Sequence, residues 1–416
     1  MEKLLMLGSS TGSVEIVEYA KKKGLYTIVT DNLPPDRSAA KRVADESRQI
    51  STADLDTLEA KCREAGVTAI MTGVSEFNID MQIALCERLG LPCYATAESF
   101  RFNRNKAAFK EMCRKCGVPV AKDYYLTDAL TPEELATVEY PVVVKPIDQC
   151  ANRGLSFCCN ESELREGYRL ARSFSSAERV IVEQCLTGEE YAAFYALAHG
   201  KSSLLSYRRV FKFGDSETPG SYSVVFPTRE NIEAFRGVDL TLQRLFEEMG
   251  CREGIALVQM LCDRPHGALR VIELGYRMDG LKNWLTFDGF DAIQWMLNCA
   301  TRGGNAVEDL PPSQLAMPAR PGCSYIVWSK REGRLARVEG LEEIRKLGVF
   351  VHACHEVGET IHPWQYAYIM NFISDGWEAM LETVREINSL LVAEDECGND
   401  LLMRFTDFKE VADSYQ

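Results

Sequence analysis

Three residues at or just beyond the ends of apolar strands carry the chemistry of this sequence: Lys145, Glu273 and Arg277. Lys145 closes the run Tyr140-Pro141-Val142-Val143-Val144-Lys145-Pro146. A lysine there is costly to bury without an anion beside it, so either a ligand phosphate or an internal carboxylate faces it. Glu273 ends the run Leu269-Arg270-Val271-Ile272-Glu273, and Gln259 lies at the same depth of the preceding strand. If the two strands pair as a hairpin, both side chains face one cavity and offer oxygens to magnesium, which takes a few protein oxygens plus phosphates and water. Arg277, in the turn Gly275-Tyr276-Arg277-Met278-Asp279-Gly280, is placed to hold a carboxylate or acyl-phosphate oxygen bidentately. Lys106 stands in the first turn of a helix that Asn105 can cap. Strand-end cations beside hard oxygen donors describe phosphoryl transfer.

The elements that must position these residues follow from periodicity. Strands at 3–7, 26–30 and 68–72 alternate with helices that stop at Gly24, Gly66 and Gly90, which predicts an open parallel sheet. Its first turn, Gly8-Ser9-Ser10-Thr11-Gly12, lacks G-x-G-x-x-G spacing, although Asp31 closes the second strand; a dinucleotide site and a plain βα turn both fit. Beyond residue 100 the pattern predicts a helix over 106–116 and buried strands over 140–146 and 180–183. It then predicts a hairpin over 190–211, a helix over 233–249, and a second hairpin over 255–274. The proline-rich stretch 308–321 reads as a linker to a smaller α+β unit.

Composition narrows the class. The 416 residues call for more than one core, and a net charge of -14 disfavours general nucleic-acid binding while leaving room for a local cationic pocket. No apolar run approaches the roughly 20 residues that span a bilayer. Fifteen scattered cysteines without a secretory signal read as reduced thiols of the cytoplasm. Neither the lone Cys113-x-x-Cys116 nor the group His352, Cys354, His355 and His362 has convincing metal-site spacing.

In order, Lys106 with its helix, Val143-Val144-Lys145-Pro146, Val182-Glu183-Gln184-Cys185-Leu186-Thr187-Gly188-Glu189-Glu190 and Ile272-Glu273-Leu274-Gly275-Tyr276-Arg277 resemble the motifs of ATP-grasp enzymes. The arrangement is similar to biotin carboxylase, the carbamoyl phosphate synthetase large subunit and single-chain carboxylate–amine ligases. The resemblance implies a mixed α/β and α+β fold. A Rossmann-like pre-ATP-grasp domain with an open parallel sheet would occupy 1–98. The ATP-grasp domain would occupy 99–318, with a mobile central lobe at 120–186, and a C-terminal α+β domain 319–416. It implies a cytoplasmic ligase using ATP and Mg2+ (or Mn2+) that activates a carboxylate as an acyl phosphate and joins it to an amine.

By the same resemblance, Lys106, Lys145, Arg153 and Gly154 would meet ATP phosphates under a flap formed by 148–154. Glu183, Gln184 and Leu186 would flank adenine, with the Glu183 carboxylate or nearby carbonyls taking its amino group. Glu190 would bind ribose, Gln259 and Glu273 magnesium, and Arg277 the reacting carboxylate. The family commonly has Asn where this chain has Gly275, so Asp279 or water would have to replace that metal ligand. Substrate contacts are assigned to Glu76, for an ammonium group, and to Arg208 and Arg209 with Lys212, for a second carboxylate. Small-molecule substrates are implied, with no nucleic acid and no membrane, and exposed sheet edges admit a homodimer. Rival readings are a bicarbonate-dependent carboxylase, a non-catalytic ATP sensor, and a nicotinamide-dependent dehydrogenase on the first domain.

Overall fold

The computed structural model describes residues 1–147, 153–175, 180–212, 224–228, 232–263, 267–316 and 318–415. The expected flap residues 148–152 and the loop 214–222 lie outside the described residues.

The first unit is a parallel sheet of β1 (Lys3–Leu7), β2 (Tyr26–Asp31), β3 (Glu46–Gln49) and β4 (Ala69–Thr72), in the order β3-β2-β1-β4. Chain order reverses across β1 and β4, and a crevice at such a switch point, outside the carboxyl ends of the strands, is where open α/β sheets bind ligands. β3 escapes sequence reading because Glu46-Ser47-Arg48-Gln49 is polar, with no face fully buried. The helix after β4 runs Glu76–Leu89, opened by Ser75, which caps it by accepting from the Asn78 amide. The dinucleotide reading of Asp31 is weakened by its partners: its carboxylate holds buried Lys41 at 2.8 Å and accepts from Ser38 and Leu33.

A small antiparallel sheet follows: β5 (Asp123–Tyr124), β6 (Val142–Pro146), β7 (Ser156–Cys158) and β8 (Val180–Gln184), in the order β5-β8-β6-β7. Its core is Val142, Val144, Leu164, Tyr168 and Val182, closed by the helix Glu161–Phe174. Buried charges tie this lobe to the helix Lys106–Cys116, where Lys110 pairs with Asp123 of β5 and, at 2.6 Å, with Glu183 of β8.

The largest sheet is antiparallel. β9 (Glu190–Ala198), β10 (Lys201–Phe211), β11 (Val224–Pro227), β12 (Gly254–Asp263) and β13 (Ala268–Gly275) run in the order β13-β12-β9-β10-β11. The C-terminal unit continues the same sheet: β14 (Gly322–Ser329) pairs with β11. β15 (Gly333–Glu339) starts a separate small sheet, while β16 (Phe350–Ala353) extends the large one. The C-terminal core forms around Tyr325, Met370, Met380 and Ile387. Among the described residues no helix is long and apolar enough to cross a membrane.

Tyr276 locks the first unit to the large sheet. Its fully buried hydroxyl bridges the carbonyls of Tyr94 and Glu253 at 2.8 and 2.7 Å, and the two tyrosine rings meet edge to face. Tyr276→Phe leaves both carbonyls without that donor, so urea unfolding should show a loss of about 1–3 kcal/mol. Glu183 gives a pH signature. Burial pushes its carboxyl up, but the charges of Lys145 and Lys110 outweigh this and hold it down at about 2, from an ordinary 4.5. A depressed carboxyl stabilises the fold fully above its unfolded value and loses that contribution as pH falls toward the folded one. The stability gap between parent and Glu183→Gln should therefore shrink as pH drops from about 4.5 to about 2; a constant gap in denaturant melts would exclude the charge network as its source.

Candidate functional site

The site rests on strand register. Cross-strand partners put their side chains on one face. Arg208 of β10 stands opposite Ala192 of β9, which stands opposite Gln259 of β12, which stands opposite Glu273 of β13. These four make one row. The row on one side is Val210, Glu190 and Leu261; the row on the other is Ser206, Phe194, Leu257 and Gly275. A bulge between Gln259 and Met260 sets an extra residue on β13, and Ile272 and Glu273 both end up half-buried on the cleft side. The hairpin expected from sequence thus forms, with Gln259 and Glu273 directly opposed.

Above this face lies a cleft of about 200 Å³ between the large sheet and the lobe. Lys106, Lys145 and Arg153 line it with Glu183, Gln184, Leu186 and Glu273, and its apolar walls come from Val143, Phe157, Leu261 and Ile272. Seven of the residues assigned from sequence thus converge. Gly154 stands behind Arg153 with φ 73°, and a Cβ there would lie 2.9 Å from Phe174 and Pro146, so only glycine lets that turn pack. Glu190 is buried beside Leu261 and holds Lys212 at 3.0 Å. Three cations around an apolar slot suit a polyphosphate carrying an aromatic base. The Gln259–Glu273 pair suits a hard divalent cation that takes its other ligands from phosphate and water. Among the described residues no group of three or more His, Cys, Asp or Glu forms a metal cage, and His355 and His362 face Glu359 and Glu332 instead.

The Glu183 carboxylate departs from expectation. It is ion-paired with both Lys145 and Lys110, so it positions Lys145 in the cleft and is not free to receive an adenine amino group. Lys110 was missed in the sequence, yet the signal existed: it lies four residues after Lys106, on the same helical face.

Arg277 lies beyond Gly275, facing the crevice at the end of β4 beside Thr72 and Gly73. It meets Glu76 at 3.6 Å, and Glu76 also meets Arg104 at 3.6 Å. The segment carrying Arg277 crosses to the first unit: Trp284 covers the turn at Gly12, and buried Lys282 pairs with Glu15. Asp279 is buried and turned away from the metal row, accepting from the Asn283 amide at 2.9 Å and from its side chain at 2.5 Å. It therefore does not fill the place left by Gly275. Arg209 departs too. Alternation sends it to the opposite face from Arg208, where it pairs with Glu410 at 2.5 Å and lies over Phe211.

Residues 112–273 match the family model described as D-ala D-ala ligase C-terminus. A formate-dependent phosphoribosylglycinamide formyltransferase from Trichormus variabilis is 28% identical over 195 residues, covering 45% of this chain and 48% of that one. The chain thus aligns with about half the length of such curated relatives. Over nearly its full length it resembles solved structures. An L-amino acid ligase from Bacillus licheniformis has TM-score 0.73 at 20% identity, covering 95% of this chain and 99% of that chain. A biotin carboxylase from Campylobacter jejuni has TM-score 0.75 at 14% identity, covering 94% and 92%. With a lysine-lined lobe facing an antiparallel sheet beside a parallel-sheet unit, and with these likenesses along its length, the chain has the ATP-grasp fold.

Proposed function

We propose that the chain is an ATP-dependent ligase of the cytoplasm that activates a small carboxylate as an acyl phosphate and couples it to an amine. The observation that carries this reading is that Glu273, opposed across the hairpin by Gln259, lines one cleft with Lys106, Lys145 and Arg153, with Arg277 just beyond. ATP would lie with its base against Val143, Phe157 and Leu261, beside Gln184 and Leu186, and with its ribose toward Glu190. The three cations would hold the phosphates. Gln259 and Glu273 would hold Mg2+ or Mn2+, which neutralises charge on the phosphate oxygens when bound.

A carboxylate gripped by Arg277 attacks the γ-phosphorus, and ADP leaves. An amine nitrogen then attacks the acyl carbon, phosphate leaves, and the nitrogen gives up a proton. Positioning and charge stabilisation suffice for both steps, so no protein nucleophile is required. Glu76 would receive the ammonium form of the amine in exchange for its long contacts to Arg277 and Arg104. The relative named for formate and the neighbour named for L-amino acids support small acids as substrates.

A second reading, an ATP-binding sensor without turnover, is favoured by Gly275, which offers the metal no ligand. A phosphate-release screen of small carboxylates and amino acids, singly and in pairs, with Mg-ATP separates the two. At least one pair should release phosphate, and Lys145→Ala should lower that rate about 100-fold or more. Release by Lys145→Ala at the parental rate would remove Lys145 from the site. Gly275 also gives a gain-of-function test. A Cβ there would meet Leu257 and Arg277 at 3.7 Å or more, ordinary contact distances. Gly275→Asn should therefore melt like the parent and bind Mn2+ several-fold tighter with a non-hydrolysable ATP analogue, read by titration calorimetry.

A further inference from the structure

Arg208 does not open onto the nucleotide cleft. It lines a second cavity, of about 160 Å³, on the far side of the covering segment Asn283–Thr286. The cavity exists because β10 changes neighbours. β11 pairs with Arg208 through Phe211, whereas the linker bonds Leu204 at both ends: the Leu204 amide donates to Ser313 at 3.1 Å, and the Gln314 amide donates to the Leu204 carbonyl at 2.8 Å. Between these contacts β10 bulges at Leu205, and neither neighbour covers residues 205–207. The opening is floored by Arg208 and Thr228.

Arg208 is 1% exposed, yet among the described residues no carboxylate lies within ion-pair distance of it. It donates to Ser206 at 2.6 Å, and only at 3.4 Å to the Asn283 side chain and to the Thr286 carbonyl. Phe194 and Phe287 face its guanidinium at 5.5 and 5.3 Å. Burial pulls its pKa down to about 10, which leaves it cationic at neutral pH. Asp288 at the rim is held by Arg320 at 2.9 Å. The charge of buried Asp279 reaches Arg208 only through Asn283, whose side-chain oxygen accepts from Arg208 and whose side-chain nitrogen donates to Asp279. The Thr228 hydroxyl is buried with no hydrogen-bond partner among the described residues. A buried cation whose carboxylate partner is held off by an intervening amide, and a buried hydroxyl without a partner, are both costly, and an anion in this cavity answers both. The remaining wall is mixed: Leu205, Phe235 and Leu315 supply an apolar part, and Asp288, Gln314 and Arg320 a polar one; a cavity of about 150 Å³ holds a benzene-sized body.

We propose that this cavity binds a small monocarboxylate with an apolar body, its carboxylate on Arg208 and Thr228 and its body against Leu205, Phe235 and Leu315. The site is separate from the nucleotide cleft and needs neither ATP nor metal. It bears on the reaction segment, because Arg208 bonds Asn283 and Thr286, the turn that follows Arg277.

The test uses the full chain without nucleotide and titrates benzoate, 4-methylpentanoate and the neutral isostere benzamide by calorimetry. Both carboxylates should bind at least tenfold tighter than benzamide. Thr228→Val, which keeps shape and removes the hydroxyl, should weaken benzoate several-fold while leaving affinity for a non-hydrolysable ATP analogue within twofold. Arg208→Gln should abolish benzoate binding. Should Arg208→Gln not fold, Leu315→Trp, which fills the cavity from the linker, should abolish binding in its place. Equal binding of benzoate and benzamide, absence of any binding, or parental benzoate affinity in Thr228→Val together with Leu315→Trp overturns the proposal. Because ATP is absent from these titrations, failure of the ligase reading would not alter their outcome.

Discussion

The register of four antiparallel strands is the constraint on which the site depends. Glu273, Gln259, Ala192 and Arg208 are opposed across β13, β12, β9 and β10, so they share one face at strand spacings of about 4.8 Å. A slip of one residue in any strand would send its members to the other side, into the core of Val258, Met260 and Val271. The burial of that core therefore holds the cleft residues in place. The bulge opposite Gln259 adds what strict alternation cannot supply, two successive residues directed at the same cleft.

A second constraint is the short segment after β13. Tyr276 is bonded to the Tyr94 and Glu253 carbonyls, Lys282 is paired with Glu15, and the Leu281 carbonyl accepts from Asn371 at 3.1 Å. One stretch thus touches the first unit, the large sheet and the C-terminal strands. Arg277 lies inside it, so its position follows from how these units pack. The ordering of so many groups costs conformational entropy, and the buried bonds at Tyr276 and Lys282 are what offset it locally.

The charges divide into two kinds. Glu183, Lys110 and Asp123 form a buried network that also holds Lys145 at the edge of the cleft; each charge has an opposite neighbour, and the lobe is fixed to the helix below it. Arg208 is buried without a direct ion pair among the described residues, its nearest opposite charge, Asp279, standing behind Asn283. Networks of the first kind specify geometry, whereas a buried cation lacking a direct ion pair marks a place where the protein carries a cost that a ligand can relieve.

Much of this was legible in the chain itself. Asn105 and Gly117 bracket the helix Lys106–Cys116, and the apolar run before Lys145 forms β6, because caps and strand patterns act over a few residues. The opposition of Gln259 and Glu273 was legible as well, since two alternating runs joined by a short turn have few ways to pair. What local pattern cannot carry is partnership over distance. That Glu183 takes both Lys145 and Lys110, that Asp279 turns to Asn283, and that Arg209 leaves for Glu410 depend on which elements pack together. The polar strand β3 and the gap beside Leu205 likewise have no signature in residue type. The sequence by itself determined which side chains stand at strand ends and on which face of their own element. Tertiary packing decided which opposite charge each one meets, because the desolvation that makes such a partner necessary arises only when distant segments close over it.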